Sequence, residues 1–393
     1  MKKLFIDAIM SLSLLSTSAF AEIKIGIILG FTGPIESLTP AMRDSAKLAF
    51  KEASDSGALL GGETITVLEA DSTCVDSGAA VTAAEGLVSQ GVAAIMGADC
   101  SGVTTAIATN VAVPNGISMI SPSATSPGLT DLDDKGLFFR TAPSDKRGGQ
   151  ILADITNDRG FKSVAITYTN VDYGKGLSDM YKLGLEKHGI KVTVEVPHED
   201  GKADYSSEVA TLASAGGDAL AVLGYADQGG KGIIQASLDT GAFDTFVMGD
   251  GMIAKSLVEA FGSDLNKSVA SRPGSMGKNA KLWTEVGGAA GIDTNGAFTA
   301  ESYDAAALIV LAIQAGSSAD RASIAKNVMA VANAPGKKIY PGQLKKALKL
   351  LAKGKAVDYE GASSVAFTDV GEASGAYVEM EAKYGDFKAI KQR

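Results

Sequence analysis

A small charged molecule needs fixed partners for its charges, and the residues of this chain that could supply them sit in short loops directly after apolar runs. The segment Gly97-Ala98-Asp99-Cys100-Ser101-Gly102 ends one such run and leads into a helical pattern at about Val103. There Ser101 and nearby backbone N–H groups would meet a carboxylate at the positive end of a helix; equally, Ser101 would serve as a plain N-cap. The loop Ser121 to Pro127 offers the Ser123 and Thr125 hydroxyls on either side of Ala124, and reads either as a second set of donors or as a solvated turn. Asp250, between Gly249 and Gly251, could hold an ammonium or could simply form the turn. Tyr173 and Tyr225 follow two further runs, where they could close over a ligand or pack.

Catalysis lacks its usual carriers. Only two histidines occur, His188 near a helix end and His198 beside Glu199 and Asp200, so neither resembles a metal pair or a charge relay. Both are expected to be solvated surface imidazoles. No H-E-x-x-H, G-x-S-x-G or G-x-x-x-x-G-K-[ST] pattern is present, which removes zinc, serine-nucleophile and nucleotide chemistry in their commonest forms. An exported hydrolase with Asp99 or Asp250 as base is a minor reading, short of a nucleophile or metal at sensible spacing. No cofactor or metal is called for.

The loops punctuate a regular alternation. Ile23 to Leu29 reads as a strand apolar on both faces, and Pro40 to Ser54 as a helix with Met42, Ala46, Ala49, Phe50 and Ala53 on one stripe. Strand and helix patterns continue to alternate to Ile120, and repeated β-α-β implies a parallel sheet. A second series begins after Thr141-Ala142-Pro143, with strands expected at Val164–Tyr168, Lys191–Val196, Ala219–Leu223 and Thr245–Met248. Around Ser271-Arg272-Pro273-Gly274 the pattern resets to helices, and the tail turns strand-like at Val365–Phe367 and Tyr377–Met380. Two lobes are expected, with ligands bound beyond the carboxyl ends of the strands.

Composition agrees: 46% hydrophobic and 21% charged residues, with 46 Gly and 10 Pro, exclude disordered and collagen-like chains. Met1 to Ala21 has Lys2 and Lys3, an apolar centre and Ala19-Phe20-Ala21 at its end, the pattern of a signal peptide cleaved after Ala21, which implies a periplasmic protein. Cleavage would remove two Lys and one Asp and take the formal charge from −9 to −10, a balance that disfavours nucleic acid and anionic membrane surfaces. Cys74 and Cys100, the only cysteines, read either as two buried thiols or as a disulfide, and an even pair in an exported chain favours the bridge.

Together these loops resemble the branched-chain amino-acid (leucine/isoleucine/valine) periplasmic binding protein family, the type I solute receptors of ABC importers. The likeness runs from Ile25-Gly26 and Thr32-Gly33-Pro34 through Ser121-Pro122-Ser123-Ala124-Thr125 and Tyr173-Gly174-Lys175-Gly176 to Gly296-Ala297-Phe298 and Tyr303-Asp304-Ala305. It implies an α/β type I periplasmic binding protein fold, two Rossmann-like lobes with parallel central sheets joined by a three-crossover hinge. Residues 22–141 with 274–355 would form the N-terminal lobe and 142–273 with 356–393 the C-terminal lobe, with crossovers near Thr141-Ala142, Ser271-Arg272 and Lys355–Tyr359. It further implies that Ser101 and Thr125 hydroxyls, with backbone of Cys100 and Ser123, bind an α-carboxylate, and that Asp250 holds the α-ammonium. Tyr173 and Tyr225 would reach the ligand on closure, Phe298 would line the pocket, and Cys74–Cys100 would be the first-lobe disulfide.

Two positions depart from the family's habit. Leu38 stands where an aromatic is common, and Asp99 where an apolar residue is common. An unpaired carboxylate facing an aliphatic ligand is costly to bury, so Asp99 either turns away or selects a polar or cationic side chain. The expected function is a monomeric, non-enzymatic receptor that delivers an amino acid or close analogue to the membrane subunits of an ABC importer. An amide, urea-like or small carboxylate ligand is the alternative.

Overall fold

The computed structural model describes residues 22–393, so the expected signal peptide, Met1 to Ala21, lies outside the described residues. In the first lobe the chain runs through β1 (Glu22–Leu29), α1 (Thr39–Asp55), β2 (Thr64–Asp71), α2 (Ser77–Ser89), β3 (Ala94–Gly97), α3 (Ser101–Ile107), β4 (Ser118–Ser121) and β5 (Phe138–Arg140). These strands form one parallel sheet in the order β2-β1-β3-β4-β5. Helices cover both of its faces, which is why Ile25, Ile27, Ile28 and Leu29 of β1 are all fully buried. Helix α1 takes Pro40 in its first turn, where a missing N–H costs nothing, and turns Met42, Ala46, Ala49, Phe50 and Ala53 to the core.

The second lobe repeats the scheme with α4 (Asp145–Asp158), β6 (Ser163–Thr169), α5 (Asp172–Lys187), β7 (Lys191–His198), α6 (Ser206–Ala215), β8 (Ala219–Leu223), α7 (Gly229–Thr240), β9 (Phe246–Met248), α8 (Lys255–Phe261) and β10 (Val269–Pro273). The chain then passes back through α9 (Lys278–Ala289), α10 (Thr299–Ala315), α11 (Arg321–Ala332), β11 (Lys337–Ile339), α12 (Leu344–Leu351) and β12 (Val357–Tyr359). Helix α10 packs against α1, β3 and β4. It is buried on nearly every side from Thr299 to Gln314, and from Ala305 to Ile313 it is apolar all round. Finally β13 (Tyr377–Lys383) and β14 (Asp386–Gln392) join the second sheet antiparallel, giving the order β14-β13-β10-β9-β8-β6-β7.

Several short elements differ from the sequence expectation. Strands β5, β10, β11, β12 and β14 were not marked by the pattern, because charged residues, or Arg272 and Pro273 in β10, break up each of them and leave no apolar run. Val365–Phe367 forms no strand; Phe367 makes only an isolated bridge to Ala373. Residues 357–359, expected at the last crossover, instead pair with β11, so the last passage between lobes runs through residues 360–376.

Each sheet reverses its winding once, between β1 and β3 and between β6 and β8. Loops leaving neighbouring strands part there and open a crevice. At the first of these points Gly97 ends β3 with φ +127°, and a Cβ on it would lie 2.1 Å from the Ile28 carbonyl oxygen, so only glycine lets β3 end this close to β1.

Candidate ligand-binding cleft

Loops from both reversal points enclose one cavity of about 20 Å³, room for a water-sized group. From the first lobe come Asp99, Cys100 and Ser101 after β3 and Ser123 after β4, together with the apolar Ile35, Leu38 and Met42 after β1. The facing lobe supplies Tyr173, Tyr225, Asp250 and Gly251, and Phe298 at the head of α10 completes the wall. The sequence reading missed Ile35, Met42 and Gly251. Met42 reads as core, and nothing in its spacing distinguishes a pocket wall from a core.

The polar first-lobe wall is tightly cross-braced. Helix α3 begins at Ser101, with Cys100 as its cap residue, which corrects the expected start near Val103 and the N-cap reading of Ser101. The Ser101 hydroxyl accepts from the Ser126 amide at 3.1 Å, which leaves its own proton free to donate. Ser123 Oγ donates to the Asp99 carbonyl at 3.0 Å, tying the loops after β3 and β4 together. A Cys74–Cys100 disulfide spans a Cα–Cα distance of 5.2 Å and anchors the same corner to the loop after β2.

Asp99 lines the cavity, yet its carboxylate is occupied. It accepts from the Gly30 amide at 2.6 Å, Ser72 Oγ at 3.0 Å and the Cys100 amide at 3.0 Å. Burial pushes its pKa up, and these donors pull against that. Its role in this geometry is to bracket the loops of β1, β2 and β3.

Ala124 and Thr125, expected at the ligand, lie fully buried outside the cavity wall. Their carbonyls are used structurally: Ala124 accepts from Arg140 Nη1 at 3.0 Å, and Thr125 from the Asp145 amide at 2.9 Å. Arg140, which the sequence reading did not single out, is 1% exposed. It also donates to the Ser126 carbonyl, to Thr130 Oγ1 and, at 2.6 Å, to Glu372. One guanidinium thus shapes the donor loop and clamps it to the last inter-lobe passage.

On the second lobe Asp250 Oδ1 accepts from the Tyr173 hydroxyl at 2.6 Å and from the Gly251 amide at 2.8 Å. The flanking glycines are required by close approach: a Cβ on Gly249 would lie 2.6 Å from the Tyr173 hydroxyl, and one on Gly251 would lie 2.7 Å from the Gly224 carbonyl. Burial raises the Asp250 pKa to about 6, against the pull of those hydrogen bonds. Asp145, also buried, is pushed well above the usual carboxylate range, first by burial and then by the Asp250 charge. Tyr173 and Tyr225 stack with centroids 5.2 Å apart, so the two rings form one wall. Glu301 of α10 is pushed up to about 7 by burial, opposed by Arg272.

Outside the cavity the lobes touch at a polar rim. The Asp227 amide donates to the Pro34 carbonyl at 3.0 Å, while its carboxylate accepts from the Ser37 amide at 2.9 Å and from Ser256 Oγ at 2.6 Å. His198 corrects the expectation of a solvated imidazole. It ends β7 at 1% exposure with Nδ1 2.8 Å from Thr167 Oγ1, and burial lowers its pKa to about 4. The polar neighbours Glu199 and Asp200 mask a strand end that points inward. His188, by contrast, pairs with Asp154 at the surface.

The chain is similar to known proteins over most of its length. The description of the periplasmic binding protein family matches residues 22–342. A Leu/Ile/Val-binding protein homolog from Brucella melitensis is 29% identical over 321 residues, 79% of this chain and 84% of the relative. A leucine binding protein from Thermotoga maritima has a crystal structure that superposes with a TM-score of 0.78 at 23% identity, covering 94% of this chain and 98% of that one. The branched-chain amino acid transporter substrate binding protein of Streptococcus pneumoniae, solved in complex with isoleucine, gives a TM-score of 0.77 at 22% identity, covering 95% of this chain and 99% of that one. By fold, by family match and by the convergence of its strand-end loops on one cleft, the chain belongs to the periplasmic binding protein family.

Proposed function

We propose that this protein captures an amino acid with an aliphatic side chain between its lobes and delivers it to the membrane subunits of an ABC importer. One observation carries the reading: a buried carboxylate on one lobe, Asp250, and the Ser101 hydroxyl on the other, its proton free to donate, line one cavity otherwise walled by Ile35, Leu38, Met42 and Phe298. Fixed partners of opposite sign on opposite lobes suit a zwitterion, which must bridge them. The Asp250 carboxyl, held near 6 by burial, gains a cation when an ammonium arrives. Asp99, already bound to Gly30, Ser72 and Cys100, leaves the side-chain end of the pocket apolar. Relatives named for leucine, isoleucine and valine support the same ligand class.

The cavity is smaller than such a ligand, so entry requires the lobes to part and the Tyr173–Tyr225 wall to move. The ligand then adds contacts made only when the lobes close on it, which shifts the hinge equilibrium. In this reading the moving bodies are residues 22–141 with 274–359 and 142–273 with 377–393. The leader is removed after Ala21, the mature protein works as a periplasmic monomer, and the ligand is returned unchanged. Titration calorimetry with the twenty L-amino acids, amides and small carboxylates, on protein unfolded and refolded to strip carried-over ligand, tests it. Binding of aliphatic amino acids is the expected result; binding of amides or plain carboxylates alone would overturn it.

A further inference from the structure

Charge is unevenly distributed along this acidic chain. Between Asp320 and Asp358 there are nine Lys or Arg and no Asp or Glu, although the whole chain carries −9. Arg321 is used structurally, donating to the Val92 and Asn115 carbonyls. The lysines concentrate on and around α12. Lys345, Lys346 and Lys349 on the helix, and Lys353 and Lys355 just past it, are all exposed. At 100° per residue, positions 345, 346 and 349 fall within an arc of about 100°, opposite the buried Leu344, Ala347 and Leu348. Among the described residues none of these five ammoniums has a carboxylate within 4.0 Å. The acidic groups of the elements packed on α12 do not face them as partners. Glu52 of α1 is bound to the Leu344 amide and the Tyr303 hydroxyl, Glu360 pairs with Lys338, and Asp358 lies on β12.

We infer that this lysine face docks the protein onto an anionic lipid bilayer. A row of uncompensated like charges raises the energy of the free protein at low salt and is relieved by an anionic partner. The cations are ammoniums on flexible stems, suited to a diffuse field of headgroups, whereas a defined carboxylate or phosphate pocket favours the arginine fork. Three lie along one side of an amphipathic helix and two just past its end, with no buried donor converging on a point, which is the form of lysine cluster that reads anionic lipid. The acidity of the remaining surface then orients the molecule, because only this face is attracted.

The test is flotation of the mature protein, residues 22–393, with vesicles of 30% phosphatidylglycerol in phosphatidylcholine, at low and high salt, against pure phosphatidylcholine. Each lysine near an anionic surface is worth about fivefold in partitioning, so K345Q/K346Q/K349Q should weaken binding about 100-fold. The charge-matched K162Q/K187Q/K191Q on the second lobe should change it little. Both variants should melt and bind amino acid as the parent does, which separates this inference from the proposed ligand. Salt should release the parent. Absence of binding to the anionic vesicles, equal binding to neutral ones, or equal loss in both variants would overturn it. So would salt-sensitive self-association in sedimentation velocity without lipid that the patch variant abolishes, or loss of importer-coupled uptake by that variant in purely neutral proteoliposomes.

Discussion

Replacing Asp250 by Asn separates the binding role of this residue from its cost to the fold. The amide keeps Oδ1 as an acceptor for the Tyr173 hydroxyl and the Gly251 amide, so the turn survives, while the charge is lost. In the native protein the carboxyl titrates near 6 against an ordinary 3.8. Its folded pKa is raised, so its contribution to stability is fully present below pH 3.8 and is lost as pH rises through 6. By pH 7.5 the ionised group costs the native state about 3 kcal/mol at most. The amide avoids that cost and gives up part of the gain through its own unmet N–H donors, about 1–3 kcal/mol. Removing the charge also removes one cause of the high Asp145 pKa. Ligand-free Asp250→Asn should therefore melt no lower than the parent at pH 7.5 and show its least favourable comparison at pH 4.5. Against ligand the sign reverses, because losing one side of a desolvated ammonium–carboxylate pair costs about 3 kcal/mol or more, over 100-fold in Kd. Calorimetry at pH 7.5 and 5.5, repeated in buffers of different ionisation enthalpy, reads both effects. Parent affinity should rise through pH 6 with proton release on binding at pH 5.5, and the variant should show neither. A variant Kd within threefold of the parent, or a variant that melts lower at pH 7.5 than at pH 4.5 relative to the parent, refutes the reasoning.

Reducing the Cys74–Cys100 bridge, which closes a 26-residue separation, should cost about 3.5 kcal/mol of stability by loop-closure entropy, read as a lower urea midpoint, and should weaken ligand binding as well. Glu372→Gln leaves the buried Arg140 guanidinium without its counter-charge; a loss of about 3–5 kcal/mol and a loosened Ser123–Ser126 loop should appear in thermal melting and in amide exchange. Ligand-free stability should fall from pH 5 to 7.5, because Asp250 and Asp304 near 6 and Glu301 near 7 all have raised folded pKa values; urea midpoints rising over that interval would contradict this. His198 acts oppositely: its lowered pKa of about 4 means stability is lost as pH falls from 6.5 through 4, so His198→Gln should reduce acid sensitivity in that window.

How far the sequence spoke for the fold depended on periodicity. Long apolar strands such as Ile23–Leu29 and one-sided helices such as α1 declare themselves, because burial on two faces or one stripe leaves a repeating signature. Phe138-Phe139-Arg140 does not, and with β5 went Arg140, whose importance rests on carbonyls and on Glu372, more than two hundred positions away in the chain. The cleft was legible through loop chemistry: Asp99, Ser101, Ser123, Tyr173, Tyr225, Asp250, Leu38 and Phe298 all reach the cavity wall. Sequence could not decide where the Asp99 carboxylate points, since the deciding donors, Gly30 and Ser72, belong to other strands. Nor could it separate Thr125 from Ser123, because consecutive loop residues differ in direction, not in chemistry. The net charge of −9 argued against anionic membranes as an average, and an average conceals the lysines gathered on α12.

The rim contacts of Asp227 with Pro34 and Ser37 bear on how affinity could be adjusted over evolution or by engineering. They join the two halves without touching the interior, so they weigh the open–shut balance equally for every occupant. Measured affinity scales with the fraction of molecules poised to shut, so a change at Asp227 would rescale Kd for all ligands by one common factor and leave their ranking intact. Selectivity and sensitivity are therefore set by different residues. A cell facing scarcer nutrients could gain sensitivity by altering this polar seam, with the inner wall unchanged.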